Sequence, residues 1–165
     1  MNIKIELFNN VNEIEFIRVT SPYNEDFIKE ARALKGKFNT TNKGWEFPIK
    51  SKAKVDAAIY KVFGVSSDAN SEKVNIELTF LEKVQAEQDS VIIAGRIIAK
   101  GDNRDSGAEE GWGVEIIEGE MSTDGSRKNW YTYVTKGSVF AVSKVEKKTL
   151  KLLDKNKSVS YKIIE

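Results

Sequence analysis

Apolar residues at every second position open the chain. Ile3, Ile5 and Leu7 share one face, and between Ile14 and Thr20 the set Ile14, Phe16 and Arg18 alternates with Glu15, Ile17 and Val19. A period of two predicts strands over 3–8 and 14–20. Asn9-Asn10-Val11-Asn12 between them supplies turn residues and joins the strands as a hairpin. Ser21-Pro22 ends the second strand, because Pro has no N–H to give to the ladder.

The period then changes. Phe27, Ile28, Ala31 and Leu34 stand at i, i+1, i+4 and i+7, one apolar face of a helix, with Lys29, Arg32 and Lys35 around the rest in water. Asn24 is a good N-cap, and Glu25 and Asp26 complement the helix dipole in the first turn. Gly36 is the residue expected to close the helix in the left-handed conformation. Phe38 begins a short strand, Thr40 to Gly44 turns, and Trp45-Glu46-Phe47 returns with Trp45 and Phe47 on one face until Pro48 stops it. A second helix, capped by Ser51, follows from the stripe Val55, Ala58, Ile59, Val62, Phe63 and ends at Gly64.

After the polar run Ser66 to Ser71 the pattern is that of strands. Lys73–Leu81 alternates, and Val91–Ala99 is nearly continuously apolar, as for a strand buried on both faces. Gly111–Met121 and Asn129–Thr135 alternate again. Lys136-Gly137-Ser138 turns into a strand over Val139–Val145, Glu146–Asp154 reads as a helical excursion, and Val159–Ile164 closes. Six strands with Gly-rich turns point to an antiparallel barrel or sandwich. The fold class expected is therefore α+β: a hairpin/helix/hairpin/helix module over 1–64, a linker over 65–72 and a β-rich domain over 73–165.

Composition narrows the chemistry. Of 165 residues, 40% are hydrophobic and 31% charged, as in a globular protein. No apolar run approaches the roughly 18 residues of a spanning helix. The opening residues lack the apolar core of a signal peptide, so no membrane and a cytoplasmic location are expected. The chain has no Cys and no His, which removes thiolate nucleophiles, thiolate zinc sites, imidazole bases and His-ligated metals. No P-loop and no paired-carboxylate constellation is visible. A protein with no catalytic residues and no cofactor is the favoured class.

Net charge is +1, yet it is unevenly spread. Between Thr20 and Gly64 nine Lys or Arg face five acids, a balance of +4, whereas residues 65–165 carry fifteen bases and seventeen acids, a balance of −2. The basic excess falls on the segment that holds Tyr23, the helix, Phe38 and Lys43-Gly44-Trp45-Glu46-Phe47-Pro48. Over about residues 16–63 this ordered pattern resembles the HARP domain of annealing helicases, with its Tyr, amphipathic helix, aromatic-Asp turn and Lys-Trp-x-Phe return. It is also similar to a short Trp-containing module attached to plasmid primases. Tyr23, Leu34, Phe38, Trp45 and Phe47 match by kind and spacing. Asn39 stands where those families prefer Asp, and Lys35-Gly36-Lys37 where the primase module has Gly-Ala-Arg. The resemblance implies contact with single-stranded or forked DNA.

Binding a single strand takes cations along the phosphates and exposed aromatics on which bases stack. Lys37, Lys43, Lys50, Lys52 and Lys54 are candidates for the first role, Tyr23 and Trp45 for the second. Trp45, two residues from Phe47 on one face, equally suits a core, and Lys50, Lys52 and Lys54 equally suit the solvated start of a helix. A second group, Arg127, Lys128 and Trp130 followed by Tyr131 and Tyr133, puts cations and aromatics together on a later strand, where an aromatic face in the core is the competing reading. The loop Lys100–Gly111 offers Asp102, Asp105, Glu109 and Glu110, which loosely suit a hard cation or a Mg²⁺-dependent nuclease but lack the ordered ligand positions of an EF-hand. Arg96, inside an apolar strand, needs a partner if buried, and Asp105 is one guess. The leading expectation is a non-enzymatic DNA-binding accessory protein. The alternative is a protein-binding regulator from a phage or mobile element, acting on a host protein complex.

Overall fold

Two hairpins and two helices make up the first part of the chain. Lys4–Asn9 (β1) pairs antiparallel with Glu15–Thr20 (β2), and Asn10 fixes their turn by accepting from the backbone N–H groups of Asn12 and Ile14. Glu25–Ala33 (α1) follows, then Lys37–Asn39 (β3), Gly44–Pro48 (β4) and Lys52–Phe63 (α2). The sheet order is β1-β2-β4-β3. The computed structural model describes residues 3–68 and 70–165; Met1, Asn2 and the linker residue Ala69 lie outside the described residues. The fold is α+β, divided into two compact units, Met1–Ser67 and Asp68–Glu165.

Alternation along β2 and β4 decides which face of this sheet is covered. Ile17 pairs with Phe47 and Val19 with Trp45, so these four side chains share a face. Ile17, Val19 and Phe47 are fully buried, as are Phe27 and Ala31 of α1 and Val55, Ala58, Ile59, Val62 and Phe63 of α2. The two helices therefore lie on that face, with the Phe27 and Phe63 rings 5.4 Å apart and a Lys61–Glu30 ion pair between the helices. Each fully buried large side chain contributes about 1.5–3 kcal/mol, which lets a unit this small hold a core. The opposite face carries Phe8, Phe16, Arg18 and Glu46, with the Arg18 guanidinium 4.3 Å from the Phe8 ring centre.

Helix ends depart from the sequence reading in two places. Asn24 caps α1 through its side-chain oxygen, 2.9 Å from the Phe27 N–H. At the other end Lys35, not Gly36, takes the left-handed conformation, with φ 58°. Gly36 is needed for space: a Cβ there would stand 2.4 Å from Cε1 of Phe47. Ser51 makes no capping hydrogen bond; the 3-10 turn Ile49–Ser51 leads directly into α2 and supplies its first turn. Gly64 does close α2, at φ 64°.

The second unit contains Lys73–Phe80 (β5), Val84–Glu87 (β6), Val91–Ile93 (β7), Arg96–Gly101 (β8), Ala108–Glu110 (β9), Val114–Glu118 (β10), Met121–Gly125 (β11), Trp130–Val134 (β12), Val139–Glu146 (β13), Leu150–Lys155 (α3) and Val159–Ile164 (β14). They form three open antiparallel sheets, ordered β10-β13-β5-β14, β11-β12-β6 and β7-β8-β9, so the described residues contain no closed barrel. One core cluster joins all three, with Phe80 and Phe140 edge to face at 5.5 Å.

Four expectations are corrected in this unit. Val91–Ala99 is not one strand but the hairpin β7–β8, turned by Ala94 (φ 49°) and Gly95 (φ 80°), the two left-handed positions of a type I′ turn. Gly111–Met121 is divided between β10 and β11, with Gly119 at φ 99° breaking the run. The Lys100–Gly111 stretch is mostly the β8–β9 hairpin rather than a long loop. Its turn is fixed by Ser106, whose Oγ accepts from the N–H groups of Asp102 and Asn103, and by Thr123, which accepts from the Gly107 N–H. Arg96 is buried, but it donates to the backbone carbonyls of Ser143 and Trp112 at 2.5 and 2.7 Å instead of meeting Asp105, which pairs with Arg104.

Candidate functional site

A groove of about 740 Å³ opens in the first unit between α1 and the β3–β4 hairpin. Its floor is Val19 and Phe27, both buried. One wall comes from the strand-to-helix corner and α1: Pro22, Tyr23, Ile28 and Arg32. The other comes from the hairpin: Phe38, Lys43 and Trp45.

Local sequence places each of these groups. Pro22 ends β2 and Asn24 starts α1, so Tyr23 sits at a corner with neither sheet nor helix to cover it, and it is 80% exposed. Ile28 and Arg32, four residues apart, lie above one another on one side of α1. Phe38 and Trp45 are paired in register across the hairpin, and their rings meet edge to face at 5.5 Å and 62°. Phe38 is 51% exposed and Trp45 half-buried, so the pair is neither a sealed core nor a loose surface patch. Lys43 occupies the last position of the hairpin turn at φ 51°. That turn is held by Asn39, whose side-chain oxygen accepts from the Thr41 and Asn42 N–H groups while its amide donates to Glu46 at 3.1 Å. Glu46 Oε1 also accepts from Arg18 Nη2 at 2.8 Å, which anchors the hairpin to β2.

Of the residues singled out by sequence, Tyr23, Lys43 and Trp45 come together here. The others do not. Lys37 precedes Phe38 on a strand and so points to the opposite face, opposite Glu46 in register. Lys50, Lys52 and Lys54 lie beyond Pro48, at the far end of β4 from Trp45, about 10 Å away along the strand at about 3.3 Å per residue. Lys52 is further tied to Asp56 at 2.6 Å. Arg127 and Lys128 are exposed in the β11–β12 turn of the second unit. Trp130 is half-buried on the side of β12 that carries the buried Thr132 and Val134. Tyr131 and Tyr133 face the other way, with the Lys83 ammonium 5.4 and 4.6 Å from their ring centres. Tyr133 donates to Glu120 at 2.9 Å, a bond that holds its phenol above the usual tyrosine pKa.

Arg32 and Phe38 are two groove residues that sequence reasoning did not assign to the site. The spacing of Arg32 from Ile28 was the available signal for the first, and the hairpin register that pairs position 38 with 45 for the second. Among the described residues no group of three or more carboxylates is placed to hold a metal ion, Asp102, Asp105 and Glu109 included. None of the helices is long and apolar enough to cross a membrane among these residues.

The groove can act by apolar and aromatic contact, with one exposed cation on each wall. Compared with known proteins, the chain matches no family model, no curated protein and no solved structure.

Proposed function

We propose that the protein is a non-enzymatic accessory factor that binds single-stranded or branched DNA through the α1/hairpin groove, acting in the cytoplasm beside DNA-processing enzymes. One observation carries the reading: two largely exposed aromatic rings, Tyr23 and Phe38, flank the half-buried Trp45 between the exposed cations Arg32 and Lys43. Exposed rings cost free energy in water unless a ligand covers them, and nucleobases stack on such rings for roughly 1–3 kcal/mol each. The HARP-like pattern over residues 16–63 agrees with this ligand class, and three of its five matching positions, Tyr23, Phe38 and Trp45, line the groove. The test is a titration of labelled single-stranded, forked and fully paired DNA at several salt concentrations. Binding to the first two that weakens with salt supports the reading; no binding to either at low salt contradicts it.

A second reading, a regulator from a phage or mobile element that binds a host protein complex, draws on the second unit. Trp112 and Ile117 are 48% and 56% exposed there, flanking or lying on the edge strand β10. A partner retained from a nuclease-treated host lysate by the wild type and lost with the double variant Trp112→Ser, Ile117→Ser favours this reading over the first.

A further inference from the structure

Resting on the DNA-binding reading above, we infer that the groove seats one unpaired nucleotide, its base against Tyr23, Phe38 and Trp45 and its two flanking phosphates on Arg32 and Lys43, and that no longer strand is tracked. The cations decide this. A strand-tracking surface needs a row of positive side chains continuing from the aromatic site. Here Arg32 and Lys43 stand on opposite walls of the groove and are the cations that line it; the exposed Lys29 and Lys35, three residues either side of Arg32, are not among its lining residues, and the remaining cations lead elsewhere. Lys37 belongs to the other face of the sheet. The Lys52 ammonium is held by Asp56 at 2.6 Å, and Lys61 by Glu30 across the helices. Lys50 and Lys54 lie past the far end of β4.

Size and shape agree. A volume of about 740 Å³ is that of a small-molecule cleft. Trp45 lies half-buried against the floor, so only a base out of a duplex stack can bring its face to it. The ligand class is thus an unpaired nucleotide, read by stacking and therefore tolerant of base identity.

The experiment uses the full chain and twelve-nucleotide single strands that are abasic except for zero, one or four adjacent thymines, followed by fluorescence anisotropy. The first thymine should tighten binding about 5- to 150-fold, and the next three should add no more than the roughly fourfold statistical gain. Affinity for the one-thymine strand should fall with salt at a log–log slope of about −1.4, two phosphates at −0.7 each. Arg32→Gln or Lys43→Gln should each remove about 0.7 of that slope, and Lys50→Gln with Lys54→Gln should leave it unchanged. A slope near −3.5 (about five phosphates) that depends on Lys29, Lys35, Lys50 or Lys54, or a full stacking gain for every added thymine, overturns the one-nucleotide seat while leaving DNA binding intact. No binding to an all-thymine strand at low salt overturns the DNA-binding reading itself.

Discussion

Phe38 and Trp45 face each other across the β3–β4 pair, edge to face, with ring centres 5.5 Å apart. The contact stiffens a short hairpin and at the same time fixes the aromatic wall of the groove. The two roles separate on substitution. Tyr23, 80% exposed, supports nothing beneath it, so Tyr23→Ala should change stability by no more than about 0.5 kcal/mol while weakening DNA binding about 5- to 150-fold. Phe38→Ala should do both, losing about 0.5–1.5 kcal/mol of ring pairing as well as affinity. Urea unfolding and anisotropy on the same two proteins check this.

Left-handed lysines stand before and after β3, Lys35 at φ 58° and Lys43, in the hairpin turn, at φ 51°. A residue with a Cβ pays about 1–2 kcal/mol for that conformation. Lys35→Gly should therefore raise stability by about 1 kcal/mol, with DNA binding unchanged. Lys43→Gly should raise it similarly but weaken binding, since it removes a groove cation. Gly36→Ala should cost about 1–3 kcal/mol through overpacking against the Phe47 ring. Denaturation midpoints order the three variants.

Asn39 does what an Asp at that position cannot. Its oxygen fixes the turn and its amide donates to Glu46. Asn39→Asp keeps the first function, loses the second and sets one carboxylate against another. A loss of about 1.5–3 kcal/mol, the worth of a hydrogen bond to a charged group, is expected by urea unfolding at neutral pH, with Asn39→Ser losing less.

Tyr133 and Tyr161 each donate to a carboxylate, Glu120 and Asp154, and both phenols are held above the usual tyrosine value chiefly by those hydrogen bonds. Stability from a raised pKa is fully present below the unfolded value of about 10 and disappears as pH rises through the folded one. Ultraviolet titration should show Tyr133 and Tyr161 ionising late. Glu120→Gln should return Tyr133 toward the ordinary range and leave Tyr161 where it was.

How much of this was legible in the sequence depended on whether local rules or contacts decided each feature. The cap at Asn24, the stop at Pro48 and the close of α2 at Gly64 are local, and the pattern showed them. The αL residue was misplaced by one because Gly36 is there to clear the Phe47 ring, a contact between residues eleven apart that no local rule contains. The β7–β8 hairpin was missed because both short strands are buried and Ala94 carries no turn signature, although Gly95 and Arg96 interrupt the apolar run. In the candidate site, Tyr23, Lys43 and Trp45 were recognisable from their types and order. Arg32 read as a solvated helix position because its partner wall is a hairpin brought in from later in the chain. Lys50 and Lys54 were grouped with Lys43 by charge alone, although the strand expected over Trp45-Glu46-Phe47 already sets them at opposite ends of β4.

The most direct test uses the three indole N–H resonances of the full protein, one each from Trp45, Trp112 and Trp130. In an isotope-correlated NMR titration with a short thymine strand, the Trp45 indole signal should shift or broaden together with the backbone amides of Tyr23, Arg32, Phe38 and Lys43, and the other two indoles should stay fixed. Movement confined to Trp130 and the Arg127–Lys128 turn, or no movement at Trp45 while DNA binds, would contradict the groove as the binding site.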